Sequence, residues 1–364
     1  MLLFVFDRNF AQIGKIGNYS SLQWSEDYRG VGGFELHCPD DPEIVAMLRQ
    51  GHYLYKSGKR SAMVIRYVRP DSEEMSIVAR GFTTLDLLSQ RVVFPALTVG
   101  NIEQGMYAIV HDNACVGGFR AIESIAVSDT PEGYDAVHET QFLGEELPEA
   151  LSTLGEAGDL GYYMTFDHKA KRHVFTVYQG LDRTHGQFDN PPVVFAAEYG
   201  NLRQVIITDD MSLFKNTAIV GGEIDEENPR VFVVAGAAEG LDRHETFVDA
   251  SSIRSEDRDE ENNKVELTPE EYEERLLAHG HEALGERIHA ESFEGKIDVA
   301  DWGVKYCLGD KVTCISSRYK VRLDVRITHY QEIIENNVTQ ISVTLGEPQI
   351  IPMRGRGLFG AKVT

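Results

Sequence analysis

The chain has 364 residues, of which 42% are hydrophobic, and its formal net charge is −23 at pH 7. A chain of this length forms about two to four domains. No apolar run reaches the ~18 residues of a membrane-spanning helix, so no stable membrane insertion is predicted. The negative charge argues against nucleic-acid recognition, which favours a basic surface. The apolar start, Met1–Asp7, has no basic leader and predicts a first strand instead of a signal peptide.

Residues 1–94 predict an all-β segment with one short helix. The helix is predicted over Asp40–Arg49, because an aspartate at its start can cap it and Pro42 is favourable at an early position. Three short strands with alternating apolar and polar residues follow over residues 51–81. Alternation places successive side chains on opposite faces, so one face of such a sheet can be buried.

The next segment, residues 95–200, predicts a mixed α+β module. Apolar residues recur at helical spacing over 102–110, and a second amphipathic helix is predicted over 143–154. A polar turn separates two alternating runs, 161–166 and 173–178, and this arrangement predicts a β-hairpin.

Strand patterns return after residue 200. Short strands separated by Asp, Asn and Gly turns are predicted at Val205–Thr208, Thr217–Val220 and Arg230–Ala235. The very polar stretch 255–263 predicts a mobile loop. A helix is predicted to begin after it, because Thr268 can serve as the N-cap, with Pro269 at the first position and Glu271 three residues after the cap.

The three-strand pattern of residues 51–81 occurs a second time over residues 309–346. Each copy begins near a glycine, contains three runs with a period near two, and ends at a glycine. A meander repeated in this way predicts two related small antiparallel β-barrels, with the segments between them as insertions. The predicted fold class is therefore β-rich α+β, with an α+β module inserted between two barrels.

No motif in the sequence indicates enzymatic chemistry. His281 begins a zinc-peptidase pattern, but Gly285 stands where the second histidine is needed. His111 and Cys115 are four residues apart, and two ligands do not make a zinc site. The four cysteines form no CxxC pair and predict buried thiols in a reducing compartment. We therefore predict no enzyme, with no catalytic residues, no cofactor-binding residues, no metal-binding residues and no cofactors.

The order of several short motifs resembles the tail-hub family of long-tailed bacteriophages. These motifs are Leu3–Asp7, Tyr19–Trp24, Tyr28, Gly33–Leu36, Phe175–Tyr178, Gly180–Thr184, Val194–Phe195, Gly200–Leu202, Asn216–Gly222, Leu308–Asp310, Arg326–Ile327 and Leu345–Gly346. Each motif is weakly specific, but they follow the family's order over nearly the full chain. Some members carry a fused peptidase or lysozyme-like region after the hub, and this chain departs from that pattern because it stops at Thr364.

The resemblance implies a homotrimeric hub in a phage tail tip or baseplate. Two barrels from each of three chains would place six similar units around a channel, joining a six-fold tail tube to a three-fold tip and letting DNA pass. The implied partners are the chain itself, the distal tail protein, the tail tube, the tape-measure protein and further tip or receptor-binding proteins. The implied location is the virion, after synthesis in the host cytoplasm.

The predicted domains follow from the strand patterns and the resemblance together. They are a first barrel at 1–96, an α+β module at 97–200, a second barrel at 201–236 with 289–350, an inserted loop and helix at 237–288 that are expected to belong to the α+β module, and a C-terminal tail at 351–364. The basic, Gly-rich tail is expected either to be disordered or to dock on a neighbouring subunit. The acidic residues are expected to line the channel or, alternatively, to lie on the outer module.

A second function remains open on the sequence alone. The chain could be an accessory carbohydrate-binding tail protein that contacts the host surface. An exposed aromatic platform would favour that function, whereas a ring with a through-channel would favour the hub.

Overall fold

A computed structural model describes residues 2–116, 118–224, 229–258, 264–285, 287, 289–335 and 338–346. The chain forms two compact units, the larger from Met1–Ile206 with Phe293–Gly346 and the smaller including Ile207–Ser292. None of the helices in these described stretches has the length and apolar character needed to cross a membrane. The predicted tail at 351–364 lies outside the described residues.

The first strand set contains seven strands and one short helix. They are β1 (Leu3–Phe6), β2 (Gln12–Ile16), β3 (Ser21–Asp27), β4 (Gly33–Pro39), α1 (Pro42–Met47), β5 (Tyr53–Lys56), β6 (Met63–Asp71) and β7 (Ser76–Thr83). The strands pair antiparallel in the order β3-β4-β7-β6-β5-β1-β2. The predicted helix is confirmed, and the Asp41 carboxylate caps it by accepting from the Glu43 backbone N–H at 2.8 Å.

A mixed segment follows, as predicted. It contains β8 (Leu97–Asn101), α2 (Ile102–Val110), β9 (Ile125–Val127), β10 (Val137–Phe142), α3 (Leu147–Gly158), β11 (Gly161–Asp167) and β12 (Arg172–Tyr178). The predicted hairpin is the antiparallel pair β11–β12. The buried carboxylate of Glu103 fixes a nearby loop, because it accepts three backbone N–H groups at 2.7 to 2.9 Å from residues 132–134.

The chain then runs through β13 (Asp182–Arg183), β14 (Val194–Ala196) and β15 (Arg203–Asp210) before it forms the smaller unit. That unit contains β16 (Thr217–Gly221), β17 (Phe232–Ala235), β18 (Glu245–Asp249), β19 (Glu256–Arg258), β20 (Lys264–Glu266) and α4 (Pro269–Gly285). The predicted capping box is present, since the Thr268 hydroxyl accepts from the Glu271 N–H at 3.3 Å and the Glu271 carboxylate accepts from the Thr268 N–H at 2.9 Å.

The grouping of strands in this region differs from the predicted one. The sequence placed 201–236 with the second barrel, whereas β16 pairs with β17 and β18 in a separate three-stranded sheet of the smaller unit. Buried side chains of β16 and β17 pack with Tyr272 and Leu276 of α4. An alternating pattern identifies a strand but not its partners, which explains the difference.

The second strand set consists of β15 and four later strands, and it completes the larger unit. Its last members are β21 (Ala290–Ile297), β22 (Lys311–Ser316), β23 (Val321–Glu335) and β24 (Val338–Gly346). Its central strands lie in the order β15-β21-β24-β23-β22. The first set has the same order, β3-β4-β7-β6-β5, when its strands are matched by their place in the chain.

The two sets also agree in local backbone geometry. Gly51 and Gly309 precede the equivalent strands β5 and β22, and both have positive φ, 82° and 93°. The N–H of Gly51 donates to the Ile65 carbonyl at 2.7 Å, and the N–H of Gly309 donates to the Ile327 carbonyl at 2.9 Å. A register shift directly follows each of these isoleucines, in β6 against β7 and in β23 against β24. The repeat noticed in the sequence is therefore a repeat of backbone structure.

The two sets join into one sheet through β3 and β23. These strands pair antiparallel from Asp27↔His329 to Ser21↔Glu335, so the sheet runs continuously from β15 to β2. The described fold is β-rich, with a large antiparallel sheet and few helices. This confirms the β-rich character of the predicted fold class.

One large apolar core joins the first strand set to the mixed segment. It includes Phe6, Phe10 and Tyr53 together with buried residues of α2, α3, β11 and β12. His173 of β12 is fully buried in it, with ring centroids 4.9 to 5.6 Å from those of Phe10, Tyr53 and Phe166. Neither of its ring nitrogens hydrogen-bonds to a described residue, and burial lowers the pKa of His173 to about 3.

We expect this histidine to make the larger unit sensitive to acid. The unfolded chain protonates His173 below its ordinary pKa of 6.5, while the folded protein keeps the ring neutral down to about 3. Stability therefore falls as the pH falls through this window, by about 2 kcal/mol between pH 6.5 and pH 5. Denaturant unfolding at both pH values should show that His173→Phe removes this loss. The exposed-histidine variant His111→Phe should retain it, and equal pH dependence of the two variants would contradict the assignment.

Candidate functional site at the junction of the two strand sets

The junction is built from the residues that β3 and β23 place opposite one another. Trp24 faces Glu332, and the apolar pair Leu22 and Ile334 lies further along the ladder. Trp24 and Leu22 are fully buried, and the Trp24 Nε1–H donates to Glu26 at 2.9 Å. The junction is therefore part of the protein interior.

A buried ion pair crosses the junction. Lys56 of β5 contacts Glu332 of β23, and both side chains are 8% exposed. The Tyr330 hydroxyl donates to Glu332 at 2.7 Å, and the Lys59 ammonium lies 3.1 Å from Glu26. Burial alone would raise the pKa of Glu332, but the bonds from Lys56 and Tyr330 and the charge of Lys59 lower it and prevail. Glu332 is thus held as a carboxylate.

Aromatic rings and cations line a cavity of about 480 Å³ beside this pair. Trp302 stacks on Tyr330 with centroids 4.3 Å apart, and the Lys59 ammonium lies 4.0 Å from the Tyr330 centroid. The Arg60 guanidinium lies 4.8 Å from the centroid of Tyr163. These cavity aromatics are therefore in contact with other side chains of the same unit.

A second charge cluster centres on Asp159, which ends α3 with φ 51°. Its carboxylate contacts Arg29, which follows β3, and lies 2.7 Å from the Lys311 ammonium of β22 and 2.9 Å from Arg326 Nε of β23. The Tyr28 hydroxyl donates to the Asp159 carbonyl at 3.1 Å. Burial would raise the pKa of Asp159, but these cations lower it to about 2.

The chemistry of this arrangement is electrostatic. The carboxylates of Asp159 and Glu332 are each held by cations. Burial and nearby Asp310 raise the pKa of the Cys307 thiol in the cavity wall, so it is a poor nucleophile. In the described part of the chain, no group of three or more His, Cys, Asp or Glu side chains could hold a metal ion. The site can fix strands rigidly against one another.

The residues of the incomplete metal-site patterns lie on elements other than the junction strands. His111 ends α2 and contacts Asp112 at 2.7 Å, and the nearby Cys115 thiol has its pKa raised to about 11 by burial. His281 and Gly285 lie on α4 of the smaller unit. The junction residues were not recognised in the sequence. Lys56 directly follows the apolar run Tyr53–Tyr55 and is itself followed by polar residues, so its burial has no clear signal in the sequence.

Comparison with known families identifies the chain. Residues 2–347 match the family model described as Siphovirus ReqiPepy6 Gp37-like protein. The chain belongs to this family. The predicted resemblance to tail proteins of long-tailed phages is thereby confirmed. The comparison with curated proteins gave no match.

Several solved structures share the fold of this chain. The tail protein from Neisseria meningitidis MC58 aligns with a TM-score of 0.60 at 12% identity, covering 95% of this chain and 96% of that one. The 43 kDa tail protein of prophage MuSo2 from Shewanella oneidensis gives 0.59 at 11% identity, covering 95% and 98%. Prophage tail protein gp18 from Listeria monocytogenes EGD-e gives 0.54 at 12% identity, covering 96% and 95%. At such low identity these alignments establish the fold alone.

Removing one partner of the buried pair should destabilise the protein strongly. Lys56→Met leaves the Glu332 carboxylate buried without its main counter-ion, which costs about 3–5 kcal/mol in the free energy of unfolding. Lys56→Met combined with Glu332→Gln should recover much of this loss. The control Arg80→Met breaks an exposed pair with Glu35, in which Arg80 is 55% exposed, and should cost far less than Lys56→Met because solvent screens the pair. Equal losses for the two single variants, measured by denaturant unfolding, would contradict a buried pair.

The Asp159 cluster predicts a second acid effect at lower pH. The pKa of Asp159 is depressed from 3.8 to about 2, so its stabilisation is present above pH 4 and is lost as the pH falls toward 2. Because the carboxylate is 37% exposed, screening reduces this contribution to about 1 kcal/mol. In denaturant titrations the stability gap between wild type and Asp159→Asn should narrow between pH 7 and pH 3. An equal stability gap at pH 7 and pH 3 would contradict this role of Asp159.

Proposed function

We propose that this protein is a structural hub of a phage tail tip or baseplate. In this proposal three copies form a ring that joins the six-fold tail tube to the three-fold tip and lets DNA pass. The carrying observation is the repeat of strand order and register in the two strand sets. Two similar units per chain allow three chains to present six similar units. Membership of a siphovirus family and the fold of phage tail proteins support the same role.

The proposed organisation follows the two strand sets. Each set forms a small antiparallel barrel, the first within 1–96 and the second from β15 and residues 289–350. The α+β module at 97–200 lies between them in the chain. The smaller unit enters the second set as an insertion between β15 and β21.

The proposed partners are those of a tail component. They are two further copies of the chain, the distal tail protein, the tail tube, the tape-measure protein and further tip or receptor-binding proteins. DNA is a passing contact, and the location is the virion. The net charge of −23 supports a channel that does not retain DNA, since lysine contacts to phosphate would make its wall adhesive. No catalytic role is included in the proposal.

The accessory carbohydrate-binding role is the weaker candidate. It needs aromatic faces open to a sugar. At the cavity, Trp302 and Lys59 contact the Tyr330 ring and Arg60 contacts Tyr163. These contacts leave the hub as the better-supported function.

The hub proposal is tested by mass and imaging of the chain, purified alone and after coexpression with the distal tail protein. We expect a particle of three copies whose electron-microscopy class averages show a three-fold ring with a through-channel. A monomer in both preparations, or a particle with two-fold symmetry, would contradict the proposal. Binding to cell-wall glycans by a monomeric chain would instead support the accessory role.

A further inference from the structure

The contact that joins the two strand sets has a defined place in the repeat. The first strand of set one, β3, lies against the fourth strand of set two, β23. It pairs with β23 only beyond the register shift, from His329 to Glu335. Before its register shift, β23 pairs instead with β22, over Val321–Arg326.

The counterparts of these two strands have no such partner among the described strands. The first strand of set two is β15, which ends the sheet on one side. The fourth strand of set one is β6, which pairs with β5 only at Met63 and Val64. Beyond its own register shift, Tyr67–Asp71 pairs with β7 on one edge, and no described strand covers the other edge.

We infer that β15 of one copy pairs with the free edge of β6, beyond its register shift, in the next copy. This inference rests on the proposed trimeric hub and names the contact that builds it. Each chain has one β15 and one β6 edge to offer, so the contact is heterologous and can close into a ring. Three internal β3–β23 contacts and three β15–β6 contacts between chains then alternate around that ring.

Exposed apolar side chains near both edges agree with this pairing. Ile206 on β15 is 59% exposed, and Tyr67 on β6 is also exposed. At the internal contact, by comparison, Leu22 and Trp24 of β3 are fully buried. Pairing would cover both free edges, which otherwise present unpaired backbone groups. Pro70 has no N–H, so the ladder between chains is expected to be shorter than the internal one.

Disulfide trapping tests this contact directly. Arg69→Cys on β6 is combined with a cysteine placed in turn at each position from Arg203 to Ile206 on β15. We expect oxidation of the assembled ring to give covalent dimers and trimers, with efficiency alternating between successive positions, because bridged Cα atoms lie within about 7 Å. Wild type, with its four native cysteines, is the background. In the control, Arg69→Cys is combined with Lys15→Cys on β2, the strand at the opposite end of the sheet. This variant should give no cross-linked dimers or trimers.

A charge substitution gives a second measurement. Ile206→Lys should raise the protein concentration needed for ring formation at least tenfold. It should leave the melting temperature of the monomer unchanged. Ile13→Lys, at a 40% exposed isoleucine of β2, should leave the ring intact. A three-fold ring without β15 cross-links, or with cross-links to β2, would overturn this contact and leave the hub standing. A chain that forms no three-fold ring at all would overturn the hub itself.

Discussion

Three parts of the larger unit meet at one carboxylate, Asp159, at the end of α3. It contacts Arg29 beside β3, Lys311 on β22 and Arg326 on β23, and therefore holds the two strand sets and the mixed segment at one point. Its left-handed backbone brings the carboxylate to this position directly after the helix. The Arg326 guanidinium also lies 4.8 Å from the centroid of the Tyr28 ring, whose hydroxyl binds the Asp159 carbonyl. Cations from both sets thus converge on a single anion.

The buried ion pair of Lys56 and Glu332 has a different structural role. A buried ion pair contributes little net stability, because desolvation offsets the attraction between the charges. It does penalise any arrangement that separates the partners, since either charge alone would be buried without compensation. We therefore assign the pair the role of fixing the register of β23 against the first set, while the apolar burial of Trp24 and Leu22 supplies the stabilisation.

Local signals in the sequence predicted elements well. The cap at Thr268, the helix after Asp41 and the hairpin β11–β12 depend on residues close in the chain. The repeat was also readable, because Gly51 and Gly309 mark equivalent turns. The junction was not readable. Asp27 and His329 lie far apart in the chain, and alternation alone does not state which strands meet. The sequence around Lys56 and Glu332 likewise does not indicate that the two side chains are buried together.

The two strand sets share backbone geometry but carry different side chains at matched positions. Counting from the register shift, Glu332 occupies the place that Pro70 holds in the first set, and both pair with an isoleucine on the next strand. Likewise Arg326, which contacts Asp159, stands where the first set has Val64, because each faces the first residue of the preceding strand. The internal contact therefore has buried ionic groups that require a permanent partner. β6 has no ionic group at the two matched positions, and Pro70 on its open edge limits unwanted pairing while the chain is alone. In the proposed ring, this difference suits a chain with one junction within itself and one junction to another copy.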